Sequence, residues 1–299
     1  MRGLTIRSVA LAAVGVVAAG LVACSGTAAP FDRWPDSRFG AVVVDRATGG
    51  TTVDHHGHDQ FRSASLVKLL IALDLLERPT PLAAPDRQLI SAMLRSSDDD
   101  AASVLWAREG APAIVERSVA RLGLTDTEPP ASRSSWGYTA TSAQDVARVY
   151  RHLLDTAPAG VRDLVLGELR ATTRCAVDGR DQYGGLPHAA AGRPWAAKQG
   201  WSGFGEVPDG ARCVPTPAPV VDPAADDRVR AAAPPAPAQT GSEPDIDTEG
   251  PVLHTGGVVG DRDDRIVVVL SLHPEGTPFG EATRRLDDVT GALVSAPRR

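Results

Sequence analysis

The stretch from residue 61 to 70, FRSASLVKLL, decides how the rest of the chain is read. It sets Ser65 three residues before Lys68, at the head of an apolar run that continues as LLIALDLLER to residue 78. A helix that is apolar on nearly every side is buried at the centre of a domain. Its first turn carries free backbone N–H groups and a positive end, and both favour a developing alkoxide or a bound oxyanion. Lys68 falls on the same face one turn later. Among Val67, Leu69 and Leu70 an ammonium suffers desolvation, which favours the neutral, basic form, and a lysine can act as a base where an arginine cannot. A capping serine followed by a snorkelling lysine has the same local pattern. The rest of the chain must choose between the two.

Of the 31 basic side chains in 299 residues, only Lys68 and Lys198 are lysines. A chain that is 42% hydrophobic with a net charge of -6 describes a globular protein of one large or two intertwined domains. Aromatic residues make up 4% and no basic stripe interleaves with them, which argues against a nucleic-acid footprint or a base-stacking platform.

The first residues read as an address. Arg2 and Arg7 form a basic region, Val9 to Val22 a short apolar core, and LVAC precedes a polar SGTAAP. The segment is too short and wrongly flanked for a stable membrane span. Leu21-Val22-Ala23-Cys24 resembles the lipobox of bacterial lipoproteins, which implies a signal peptide over 1–23, lipid on Cys24 and a tether over 24–37. An ordinary secretory signal is the alternative. Export permits oxidation, and with Cys24 lipidated, Cys175 and Cys213 remain as an even pair expected to form a disulfide. Their spacing matches no zinc pattern.

Along the remaining chain, 38–55 reads as strand, turn and strand. Helical patterns follow at about 85–94, 98–109, 111–122, 141–154 and 159–172, and the Ser142/Asp145 spacing of the fourth predicts a capping box. The residues PWAAKQGWSGFG (194–205) read as a strand, 250–273 as a hairpin, and about 280–294 as a closing helix. Between them, about 214–249 is rich in Pro and Ala without a core-forming period, and is expected to be a disordered insertion. Strands at both ends with helices between imply one antiparallel sheet built from the two ends of the chain and a helical block, about 79–172, inserted in the middle.

Ser65-Leu66-Val67-Lys68, Ser97-Asp98-Asp99 and Lys198-Gln199-Gly200 occur in order, and together they take up both lysines. In this the chain resembles the penicillin-recognising serine hydrolases, the class A β-lactamases and related D,D-peptidases, known by S-x-x-K, S-D-N and K-T-G. The resemblance covers most of 38–294 apart from the Pro-rich stretch, within a domain expected over 38–299. It implies an α+β fold: an antiparallel sheet from the N- and C-terminal segments, covered by helices, with an inserted helical subdomain. Ser65 would attack a carbonyl to form an acyl-enzyme, with Lys68 as proton acceptor or relay, and Ser97 would pass a proton to the leaving nitrogen. Asp99, Lys198, Gly200 and Trp201 would line the substrate site. Lys198 would hold the substrate carboxylate, and the N–H groups of Ser65 and Trp201 the oxyanion. The implied substrates are β-lactams or D-Ala-D-Ala-like peptides, with no cofactor, no metal and no nucleic acid. The implied protein is a monomer held at the outer face of the bacterial membrane by its N-terminal lipid.

Departures from that pattern bear on turnover. Asp99 stands where the family has Asn; if it points at Lys68 it favours the protonated lysine. Gln199 replaces a hydroxyl-bearing residue that helps bind the substrate carboxylate. The stretch TDTEPPASRSSWGYTATSAQD (125–145) stands in place of the family's Ω-loop without E-x-x-L-N, and Glu128 is its sole glutamate. Acylation with slow deacylation is therefore expected. The contrasting reading is an impaired lipoprotein that keeps the fold as a binding or scaffold module. The cluster His55, His56 and His58 reads as a solvated strand end rather than a metal site.

Overall fold

A computed structural model describes residues 29–208, 210–214, 246 and 249–296. Cys24 with the expected signal segment, and nearly all of the Pro/Ala-rich stretch, lie outside the described residues. A five-stranded sheet runs in the order β2 (Thr51–His55), β1 (Arg38–Asp45), β7 (Arg265–Leu272), β6 (Val252–Val259), β5 (Trp195–Ser202). Every neighbouring pair is antiparallel. The chain's first strand therefore pairs with its last, Arg38 opposite Leu272 through Asp45 opposite Arg265.

The central strands are apolar on both faces because both faces are covered. Val42 and Val44 of β1, with Val268 and Leu270 of β7, join a core that includes α1 (Lys68–Leu76) and α5 (Ala143–Asp155). Ala41, Val43, Val267 and Val269 point the other way, against α7 (Leu186–Ala189) and α8 (Phe279–Ser295). On the first face stand α2 (Ala84–Arg95), α3 (Asp99–Arg108), α4 (Pro112–Leu122) and α6 (Ala159–Arg170) as well. This is the α+β architecture of an antiparallel sheet between helical layers.

The buried helix begins differently from the sequence expectation. Ala64–Val67 forms a 3-10 turn, and α1 starts at Lys68. Everything from Ala64 to Asp74 is buried. A two-stranded ribbon, β3 (Phe61–Arg62) with β4 (Ala140–Thr141), feeds the turn from one side. The expected capping box on α5 forms only in half. Ser142 accepts from the Asp145 N–H at 3.1 Å, whereas the Asp145 carboxylate accepts from the N–H groups of Thr125 and Asp126 at 3.0 and 2.7 Å and from the Thr127 hydroxyl at 2.8 Å. A carboxylate free to return to its own cap has been taken by a loop.

Candidate active site

Among the described residues strand β5 pairs only with β6, so its other edge carries no strand, and the 3-10 turn carrying Ser65 packs beside it. Gly200 makes that approach possible. A Cβ there would stand 3.0 Å from the Ser63 carbonyl oxygen, 3.2 Å from the Ser65 nitrogen and 3.3 Å from the Leu66 nitrogen. The strand thus runs along the start of the turn, where the Leu66 N–H donates to the Ser63 carbonyl at 3.0 Å. Ala64, immediately before Ser65, is held at φ 46, a left-handed conformation that costs a residue with a Cβ about 1–3 kcal/mol. Ser65 is 6% exposed, and its hydroxyl bonds to no described residue.

Lys68 is fully buried, and its ammonium turns toward the second motif. Its Nζ donates to the Ser97 carbonyl oxygen at 2.7 Å, to Ser97 Oγ at 3.3 Å and to Asp99 Oδ1 at 2.5 Å. The ring of Trp136, in the 3-10 turn Trp136–Tyr138, lies over it at 4.9 Å. Burial lowers the Lys68 pKa below the ordinary lysine value, and the Asp99 carboxylate opposes that without reversing it. Asp99 does point at Lys68 and does favour its charged form; the net direction is nevertheless down.

Ser97 occupies the tight link between α2 and α3 at φ 55, another strained position of the kind that gathers at functional sites. Its hydroxyl also accepts from Lys198 Nζ at 2.9 Å. Lys198 donates a further bond to the Gln199 carbonyl at 2.9 Å. Burial pushes the Lys198 pKa well below its ordinary value, and the nearby Lys68 charge adds to the effect. The chain's only two lysines, remote in sequence, therefore meet on one serine hydroxyl.

The other motif residues divide. Asp98 caps α3 by accepting from the Ala101 N–H at 2.9 Å. Gln199 turns its amide to the carbonyls of Gln182 and Gly184, at 3.2 and 2.8 Å, and so braces that segment. Trp201 donates its indole N–H to Asp178 Oδ2 at 2.8 Å. Glu128 is tied by the Gln60 amide at 2.9 Å. Cys175 and Cys213 form a disulfide with Cα atoms 5.4 Å apart, stapling the loop that holds Asp178 to the segment after β5. Among the described residues no group of His, Cys, Asp and Glu is placed to hold a metal. His55 stacks on Phe31, and His58 pairs with Asp126 at 2.8 Å.

Sequence reading missed Trp136 and Asp178. Trp136 offered one signal, a large aromatic in an otherwise small and polar loop. Asp178 offered none, because its place depends on the disulfide and on the Trp201 indole.

No protein-family model matches the chain. A protein named "Putative lipoprotein LppW" in Mycobacterium tuberculosis (strain ATCC 25618 / H37Rv) is 37% identical over 167 residues, 54% of this chain and 52% of that protein. The protein of the same name in Mycobacterium bovis gives the same values. The chain thus spans about half the length of the curated relatives it matches. Among solved structures, a β-lactamase from Streptomyces albus G superposes with a TM-score of 0.59 over 88% of this chain and 95% of its own, at 16% identity. A class A β-lactamase from Mycobacterium abscessus gives 0.57 over 88% and 95%, at 17% identity. The sheet order, the covering helices and these superpositions agree: this chain has the fold of the class A β-lactamases.

Proposed function

We propose that the protein is an exported, lipid-anchored serine hydrolase whose Ser65 is acylated by β-lactams or D-Ala-D-Ala-like peptides and is deacylated slowly. One observation carries the reading: both lysines of the chain converge on Ser97 Oγ beside the turn where Ser65 meets the edge of β5. A buried Ser/Lys/Ser/Lys constellation has no evident structural purpose, since burying two ammonium groups costs several kcal/mol each.

In this mechanism Ser65 Oγ attacks the carbonyl carbon and its proton passes into the Lys68/Ser97 network. The N–H groups of Ser65 and Trp201 stabilise the oxyanion. Ser97 then protonates the leaving nitrogen, and Lys198 holds the substrate carboxylate. Slow deacylation is supported by residues 125–145, which lack E-x-x-L-N and whose sole glutamate, Glu128, has one oxygen held by Gln60. Anchoring at the membrane through Cys24 is supported by the lipobox-like LVAC and by the name of the mycobacterial relatives.

The test is intact-mass measurement of the soluble domain, from about residue 25, after incubation with a fluorescent penicillin. A covalent adduct is expected in the native protein and none in Ser65→Ala. An adduct that survives Ser65→Ala removes the nucleophile assignment. Absence of any adduct favours a binding module that keeps the fold without the chemistry.

A further inference from the structure

Hydrolysing an acyl-enzyme requires a carboxylate or another base that can take a proton from water. Five acidic residues come into question, and four have no hydrogen bond to the lysines or serines of the site. Glu128 accepts from the Gln60 amide. Asp98 caps α3. Asp178 has both oxygens engaged, Oδ1 by the Arg180 N–H at 3.0 Å and Oδ2 by the Trp201 indole at 2.8 Å. Asp100 lies exposed on α3, with no bond to the lysines or serines of the site. Asp99 differs from all of them. Its Oδ1 accepts from Lys68 Nζ at 2.5 Å, Oδ2 bonds to no described residue, and its side chain is 67% exposed. One oxygen is anchored to the buried lysine, and the other is open to water.

Resting on the acyl-enzyme reading above, we propose that Asp99 is the base of deacylation, doing at the start of α3 what the loop glutamate is not placed to do. Water bound at Oδ2 attacks the acyl carbonyl carbon and gives its proton to the Asp99 carboxylate. The tetrahedral intermediate collapses by breaking the bond to Ser65 Oγ, which takes a proton from the Lys68 ammonium. Asp99 returns the water proton to Lys68 across their hydrogen bond. The sum is ester plus water to carboxylic acid plus free Ser65, with Asp99 and Lys68 restored. The ion pair sets the pace as well: Oδ1 stays held by Lys68 and only Oδ2 is left for water, so turnover through Asp99 is slow but not absent.

The experiment separates the two chemical steps. The soluble domain is acylated with a fluorescent penicillin, excess reagent is removed, and the adduct is followed to clearance by intact mass. Asp99→Asn is expected to acylate and then clear about 100-fold more slowly. Asp99→Glu is expected to recover part of the rate, and Asp100→Asn, which removes the same charge one residue away, to clear at the native rate. Clearance in Asp99→Asn at the native rate or faster overturns the proposal and leaves Asp99 as a restraint on Lys68. Equal slowing in Asp100→Asn overturns it also, as a general charge effect. If the native protein forms no adduct, the acyl-enzyme reading itself has failed, and this inference goes with it; that outcome is distinct from an adduct whose clearance ignores Asp99.

Discussion

Gly200 is the residue on which the site's geometry most narrowly depends. The atoms a Cβ would meet there are backbone atoms of the Ser65 turn, at 3.0 to 3.3 Å, and they have no rotamer to change. Gly200→Ala is therefore expected to push β5 and the turn apart, at about 1–3 kcal/mol of stability. In the proposed mechanism the larger effect falls on the N–H groups of Ser65 and Trp201, which lose their spacing. Acylation should slow by at least about tenfold in a protein that still folds, checked by an intact-mass time course beside a thermal melt; an unchanged acylation rate would contradict this geometry. The glycine was legible from its motif. The strain at Ala64 and Ser97 was not, since nothing in either residue type calls for a positive φ, and only the packing around them imposes it. The direction taken by Lys68 was hidden in the same way: its spacing gave reach to Ser65, but Ser97 and Asp99 supply its acceptors.

At the scale of elements, α1 is the pillar of the first core, and its end is fixed by charge. Asp74 is 2% exposed and accepts from Arg117 Nε and Nη2 at 2.9 and 2.7 Å and from Arg78 Nη2 at 2.5 Å. Arg78 reaches on to Glu109, so α1 is joined to α4 and to the end of α3. Burial by itself would raise the Asp74 carboxyl, but the hydrogen bonds from Arg117 and Arg78 outweigh it and hold the pKa below the usual carboxylate value. A lowered folded-state pKa stabilises the protein above the unfolded value, about 3.9, and that contribution is lost as pH falls through the folded one. Asp74→Asn should thus cost about 2 kcal/mol at pH 7, a moderate figure because both arginines are partly exposed. The gap from native should narrow below about pH 4. Urea titrations at pH 7 and pH 3 measure both. The sequence showed Asp74 as an interruption of an apolar run with Arg78 four residues on; Arg117 lies on another helix and could not be read there.

The whole molecule is closed at two places. One is the pairing of β1 with β7, which joins the chain's ends into a single sheet. The other is the disulfide, spanning a separation of 38 residues, which ties the Asp178 loop to the far end of β5. A cross-link over such a loop is worth about 4 kcal/mol in the chain-entropy view. Cys213→Ser is then expected to lower the thermal midpoint by about 5–15 °C. Because Asp178 holds the Trp201 indole, the same variant should also slow acylation; calorimetry and the adduct time course test the two effects separately.

The sequence by itself determined the order of the five sheet strands and of the longer helices, because apolar period and turn residues act over a few neighbours and do not need the fold to be known; the short β3/β4 ribbon and α7 escaped it. It also singled out the two lysines that the fold brings together, since a chain that uses arginine nearly everywhere marks them by their rarity. Only the tertiary structure decided how those side chains face one another. Which acceptor a buried ammonium finds, which carboxylate is spent on a cap or a loop, and which keeps an oxygen free for water all depend on contacts between segments far apart in the chain. No local pattern encodes such contacts, because desolvation and hydrogen bonding are settled by whatever the fold brings within about 3 Å.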